Sequence, residues 1–234
     1  MFFMLPDMQK KLELAGLILL IIVFVFVGKG LKTLVTSEKL EVRKGYTVVI
    51  DPGHGGEDPG KVGINGELEK DINLQIAMKV RELLESEGMK VVMTREDDRM
   101  LAGDGTSGKK AEDLKERIRI IDDAKADLAV SIHQNSYTSP DVNGAQVFYY
   151  SHSEEGKRAA EVMQSALLSV NPQNHRTAKA NDSYYLLTRT KTPVIIVECG
   201  FLSNLDEAEK LIDEEYQTEI SNAIGNGIHS CLAD

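Results

Sequence analysis

Cysteine is scarce in this chain, with two among 234 residues. That excludes a disulfide framework and a Cys-rich zinc module. Positive charge is short as well. Twenty-seven Lys and Arg face 37 Asp and Glu, for a formal net charge of -10, so no general electrostatic field holds DNA or RNA. Apart from one stretch near the N-terminus, long apolar runs are missing, which excludes a polytopic membrane protein. No internal repeat is present, and the glycine-rich segment DPGHGGEDPG has neither the G-x-x-x-x-G-K-[ST] nor the G-x-G-x-x-G order, so it is weak as a phosphate cradle. H-E-x-x-H is absent too, which counts against the commonest zinc peptidases. What is there is 42% apolar and 27% charged, the composition of a folded globular chain. At this length a chain buries roughly 70% of its unfolded surface.

The N-terminus stands apart. Lys10 and Lys11 precede an uncharged stretch, Leu14–Gly28 (LAGLILLIIVFVFVG). It is short for a spanning helix, which needs about 17–25 residues, and suits the apolar region of a signal sequence. Gly28-Lys29-Gly30 is a poor cleavage site, so an uncleaved signal-anchor is an equal reading. Residues 1–30 are therefore expected to be a signal sequence or signal-anchor, 31–45 a polar linker, and 46–234 the globular domain, placed outside the cytoplasm.

Within that domain short apolar runs alternate with helical patterns. Strands are expected at Tyr46–Ile50, Lys90–Thr94, Asp127–Ile132, Ala145–Tyr150 and Pro193–Val197. Between and after them, helices are expected over 69–87, 112–125, 154–170, 205–213 and 215–231, with 96–110 a polar, glycine-rich loop. Nearly all-apolar strands alternating with helices predict an α/β domain: a mainly parallel twisted sheet with helices on both faces. Ligands of such sheets sit at the carboxyl ends of strands.

Three strands end on chemistry-bearing residues. YTVVI runs into Asp51-Pro52-Gly53-His54, DLAVSI into His133-Gln134-Asn135, and PVIIV into Glu198-Cys199-Gly200. Glu69, in the first turn of the helix that follows, can bring a second carboxylate to the same edge. Two imidazoles and a carboxylate form a standard catalytic zinc shell, with the remaining glutamate free to act as base. Each feature has an ordinary explanation: a lone histidine is usually hydrogen-bonded, and Glu69 suits a helix N-terminus. Glu198 resists one, because a carboxyl after four apolar residues is costly to bury without a partner. His152, His175 and His229 read as surface residues, and Cys199 as a buried, inert thiol. An exported protein also leaves a Cys199–Cys231 disulfide open.

The strings VVIDPGHGGEDPG, ELEKDINLQIA, ADLAVSIHQN and PVIIVECGFLSN, in that order, resemble the zinc-dependent N-acetylmuramoyl-L-alanine amidases of the amidase-3 family. The likeness runs from about Tyr46 to Ile228, and NDSYYLLTRTKTPVIIVECGFLSN resembles the spore-cortex, germination-specific branch. The resemblance implies one zinc ion held by His54, Glu69 and His133, with Glu198 as the catalytic glutamate. Arg117 and Asn135 match recurrent residues that shape the site or contact substrate. It implies cleavage of the amide between N-acetylmuramic acid and L-alanine in peptidoglycan, ahead of muramic δ-lactam formation in spore cortex and its use in germination. The expected location is between forespore and mother cell, and the expected partners are the glycan strand with its stem peptides and an exported lipoprotein activator. Ile121-Asp122 departs from the Ala-Asn that relatives often carry. The alternative is the same fold with a silent site, binding wall or partner without cutting; intact His54, Glu69, His133 and Glu198 speak against it.

Overall fold

The structure, a computed structural model, describes residues 45–103 and 108–233. The signal or anchor segment and most of the linker lie outside the described residues. Among those described, no helix is long and apolar enough to cross a membrane.

Six strands form one sheet: β1 (Thr47–Pro52), β2 (Lys90–Met93), β3 (Leu128–Asn135), β4 (Gln146–Tyr149), β5 (Lys179–Ala180) and β6 (Val194–Phe201). Their order across the sheet is β2-β1-β3-β6-β4-β5. The first four positions are parallel, whereas β4 runs antiparallel to β6 and carries β5 parallel to itself. The sheet is thus mixed rather than uniformly parallel. The helices are α1 (Glu69–Ser86), α2 (Lys109–Asp123), α3 (Glu154–Leu167), α4 (Tyr185–Arg189), α5 (Leu205–Leu211) and α6 (Glu214–Ala233).

The chain leaves β1 for β2 on one side and then crosses back past β1 to β3. Right-handed crossovers in opposite directions put α1 and α2 on opposite faces. One face buries Val48, Ile50, Val130, Ile132, Ile195 and Val197 against Ile72, Ile76, Val80 and Leu84 of α1, Met163 of α3 and Ile224 of α6. Each of the four α1 side chains contributes roughly 1.5–3 kcal/mol by leaving water. The other face packs Val49, Ala129, Phe148, Val194 and Ile196 against Ile121, Leu186 and Leu187. The alternation along each strand is what a sheet covered on both faces requires. Ile121 therefore fills the core under α2, and the Asp122 carboxylate accepts the N–H groups of Lys191 (2.9 Å) and Thr192 (3.2 Å) just before β6.

His152 and His175 are exposed. His229 is not: it is buried on α6 with Nε2 against the Glu87 carboxylate. Cys199 and Cys231 are not joined to each other. Cys199 is fully buried, which pushes its thiol pKa far up, and Cys231 Sγ lies 3.4 Å from Ala159 O.

Candidate active site

The register of the parallel strands builds the site. Pro52 pairs with Ile132, and one step further His133 pairs with Glu198. The carboxyl ends of β1, β3 and β6 thus lie level with one another, beside the point where the topology reverses direction. His133 and Glu198 follow the alternation onto the α2 and α4 face.

After β1 the chain turns through Gly53–Gly60 and returns to α1. The start of α1 has no side-chain cap; Glu69 N–H donates to Lys61 O (3.0 Å) and Lys70 N–H to Pro59 O (3.1 Å). Those bonds satisfy donors that every helix start leaves open. They also strap the His54 loop to the helix that carries Glu69. Two glycines make the approach feasible. A Cβ on Gly53 would sit 2.2 Å from His133 Cε1, and Gly60, at φ +70°, would place one 2.5 Å from Glu69 Oε2.

The ligand-type atoms of His54, Glu69 and His133 all lie within 4.8 Å of one another, a group able to hold a metal ion. Glu69 Oε2 is 3.2 Å from His54 Nε2, and Glu69 Oε1 is 2.9 Å from His133 Nδ1. Lys61 N–H (2.7 Å) and Gln134 N–H (3.1 Å) also donate to the Glu69 carboxylate. Burial would raise its pKa, but the two histidines outweigh that and hold it far below the ordinary carboxylate range. Asp58 Oδ2 lies 2.9 Å from His54 Nδ1, which fixes the ring and leaves Nε2 aimed at Glu69.

Glu198 is 6% exposed, and its Oε2 has no hydrogen-bond partner among the described residues. Burial pushes its pKa up to about 7; His133, His54 and Lys61 pull it down, and Glu69 adds to the rise. A buried carboxyl with an open oxygen and a pKa near neutrality is suited to accept and return protons. It lines a cavity of about 470 Å³ with His54, Glu69, His133, Asn135, Tyr184 and Leu186.

Arg117 borders the same cavity but is 2% exposed, with its guanidinium committed. It donates to Asp113 Oδ2 (2.6 Å), Asp51 Oδ1 (2.6 Å), Pro52 O (2.7 Å) and His54 O (2.6 Å). Arg95, equally buried, donates to Pro52 O and Gly53 O. Two arginines therefore hold the carbonyls of the loop in which His54 takes φ 62°. Asn135 ends β3, lines the cavity, and accepts Ser136 N–H through its side chain (2.8 Å).

All four residues expected at the centre are brought together. Asp58, Asp51, Asp113 and Arg95 were not foreseen. The four-residue spacings of His54 to Asp58 and of Asp113 to Arg117 were signals for two of them; Asp51, 66 residues from Arg117, lies too far away in sequence to be read from it.

A family model described as N-acetylmuramoyl-L-alanine amidase matches residues 48–230. The germination-specific N-acetylmuramoyl-L-alanine amidase of Bacillus subtilis is 41% identical over 187 residues, covering 79% of this chain and 78% of its own. Among solved structures, the CwlD amidase of Clostridioides difficile, in complex with the GerS lipoprotein, superposes with a TM-score of 0.78 at 40% identity, over 81% of this chain and 99% of that one. The catalytic domain of CwlV, an amidase from Bacillus (Paenibacillus) polymyxa, gives 0.72 at 33%, over 81% and 99%. The strand ends, the cluster of His54, Glu69 and His133, and this likeness agree: the chain belongs to the N-acetylmuramoyl-L-alanine amidase family and is an enzyme of that class.

Proposed function

We propose that the protein is a zinc hydrolase of peptidoglycan that cuts the amide between the lactyl group of N-acetylmuramic acid and L-alanine, in spore cortex maturation. The observation that carries this reading is the convergence of His54, Glu69 and His133 beside the unpartnered Glu198 Oε2. Two imidazoles and one carboxylate are a donor set that fits zinc and leaves a position open. When bound, zinc supplies Lewis-acid chemistry, polarising a carbonyl and acidifying water.

The chain's own residues do the rest. His54 is oriented by Asp58, and Glu69 by Lys61 N–H and Gln134 N–H, so the three donors are held before substrate arrives. Glu198 takes a proton from water as its oxygen bonds to the carbonyl carbon, and delivers that proton to the nitrogen of L-alanine as the C–N bond breaks. The Ile196, Leu186 and Tyr184 wall keeps bulk water from the carboxyl, which keeps its pKa near the working pH. Asn135 at the cavity edge is placed to meet substrate.

Export follows from the apolar segment within residues 1–30, and the extracytoplasmic face between forespore and mother cell is the location the cortex reading requires. The cortex assignment rests on the likeness to the germination-specific relative, after whose type of cut a separate deacetylase completes the muramic δ-lactam. A lipoprotein partner is proposed by analogy with the CwlD complex. The test is metal stoichiometry with chelation and add-back: about one zinc per chain, activity lost on chelation and restored by zinc. Full activity of a zinc-stripped chain would overturn the reading.

A further inference from the structure

The charges around the cavity are almost all spoken for. Asp51 and Asp113 are tied to Arg117. Asp58 is shared between His54 and Lys110, whose Nζ lies 2.8 Å away. Lys61 is the exception. It lines the cavity, yet among the described residues no carboxylate lies within ion-pair distance of its ammonium.

Its position is nevertheless fixed. The Lys61 N–H donates to Glu69 Oε2 at 2.7 Å, and its carbonyl accepts Glu69 N–H at 3.0 Å. The backbone is clamped from both sides to the residue at the centre of the cluster, while the side chain is exposed. The residue lines the same cavity as Glu198, His54 and His133. In a chain of net charge -10, a cation carried on a clamped backbone at this point is a local attraction for an anion.

The leaving half of the substrate supplies one. L-alanine is followed in stem peptides by a glutamate joined through its side chain, which leaves its α-carboxylate free only a few bonds from the scissile nitrogen. Glu198 works at that nitrogen, and Lys61 lines the cavity with it.

We infer that Lys61 is a specificity-determining residue that binds the free α-carboxylate of the second stem-peptide residue. The inference rests on the amidase reading above. A lysine ammonium serves this purpose as a compact point charge on a flexible stem, which tolerates variation further along the peptide.

The test compares zinc-loaded wild type, Lys61→Met and Lys61→Arg on two sets of peptidoglycan fragments, one with D-isoglutamate at that position and one with D-isoglutamine. Wild type is expected to prefer the acid by about 10-fold in kcat/KM, carried by KM, the scale of one charge-assisted hydrogen bond. Lys61→Met should lose that preference, with kcat/KM falling more on the acid than on the amide fragment, and Lys61→Arg should keep it. Equal losses on both fragments, or a fall in kcat with a displaced pH profile, would assign Lys61 to tuning Glu198 and overturn the inference. If zinc-loaded wild type releases no L-alanine-headed peptide from either fragment, the amidase reading itself fails, and Lys61 with it.

Discussion

Replacing Arg117 by methionine tests what a fully buried cation does beside a reaction centre. The methionine fills similar volume but takes the ion-pair partner from the Asp51 and Asp113 carboxylates and the arginine donor from His54 O. Removing one partner of a buried ion pair costs about 3–5 kcal/mol. For a domain of this size each kilocalorie lowers Tm by about 2–4 °C, so a fall of roughly 6–20 °C is expected. A second effect is local. His54 sits at φ 62°, a conformation that costs a non-glycine residue about 1–3 kcal/mol unless its surroundings impose it. Without the bond to its carbonyl the loop relaxes, and zinc affinity falls by about 5- to 150-fold, the same energy expressed as binding. Arg117→Lys keeps the charge but not the planar fork, and falls between. Thermal unfolding and competitive zinc titration read the two effects separately. A variant with normal Tm and zinc affinity but a raised KM would refute this reasoning and make Arg117 a substrate contact.

Three further predictions follow from the site. Glu198→Gln keeps its shape and should retain zinc while losing about 10²–10⁴-fold in kcat; near-normal turnover would remove Glu198 from the proton transfers. Gly53→Ala, whose new Cβ would meet the His133 ring, should weaken zinc by about 10–100-fold, the range for disturbed ligand support, and unchanged affinity in a zinc titration would contradict the packing argument. Asp51 supplies a pH dependence: burial pushes its pKa up, but Arg117, Ser131 and Thr94 outweigh that and hold it below the ordinary value. Its contribution to stability is therefore complete above the unfolded pKa near 4 and is lost as pH falls through the lower folded one. Denaturation across pH should find Asp51→Asn most destabilised relative to wild type above about pH 4, with the gap closing in acid; a gap that widens in acid would contradict it.

The centre of the site was legible because parallel strands announce their ends. An apolar run that stops at His133 or Glu198 states where the backbone delivers the side chain, and sheet physics says those ends share an edge. Glu69 followed from its place in the first turn of α1. Strand direction was not legible: nothing in the apolar run around β4 distinguishes parallel from antiparallel pairing. β5, two exposed residues, and α4, a five-residue helix, are too short to show a period. The arginine clamps were hidden for another reason. Asp51, Asp113 and Arg117 are ordinary charged residues in sequence, and only the fold brings Arg117 to residues 51–54 and buries the set. His229 went astray similarly, since a histidine near a chain end carries no mark of the Glu87 carboxylate that α6 brings it against.

The most direct test is the chemistry of the cut. Zinc-loaded protein incubated with purified cortex-type peptidoglycan should release peptides with a newly free amino group on L-alanine, leaving muramic acid with its lactyl carboxyl free. Products in which L-alanine stays attached to muramic acid, with cleavage elsewhere in the glycan or the stem, would contradict the account.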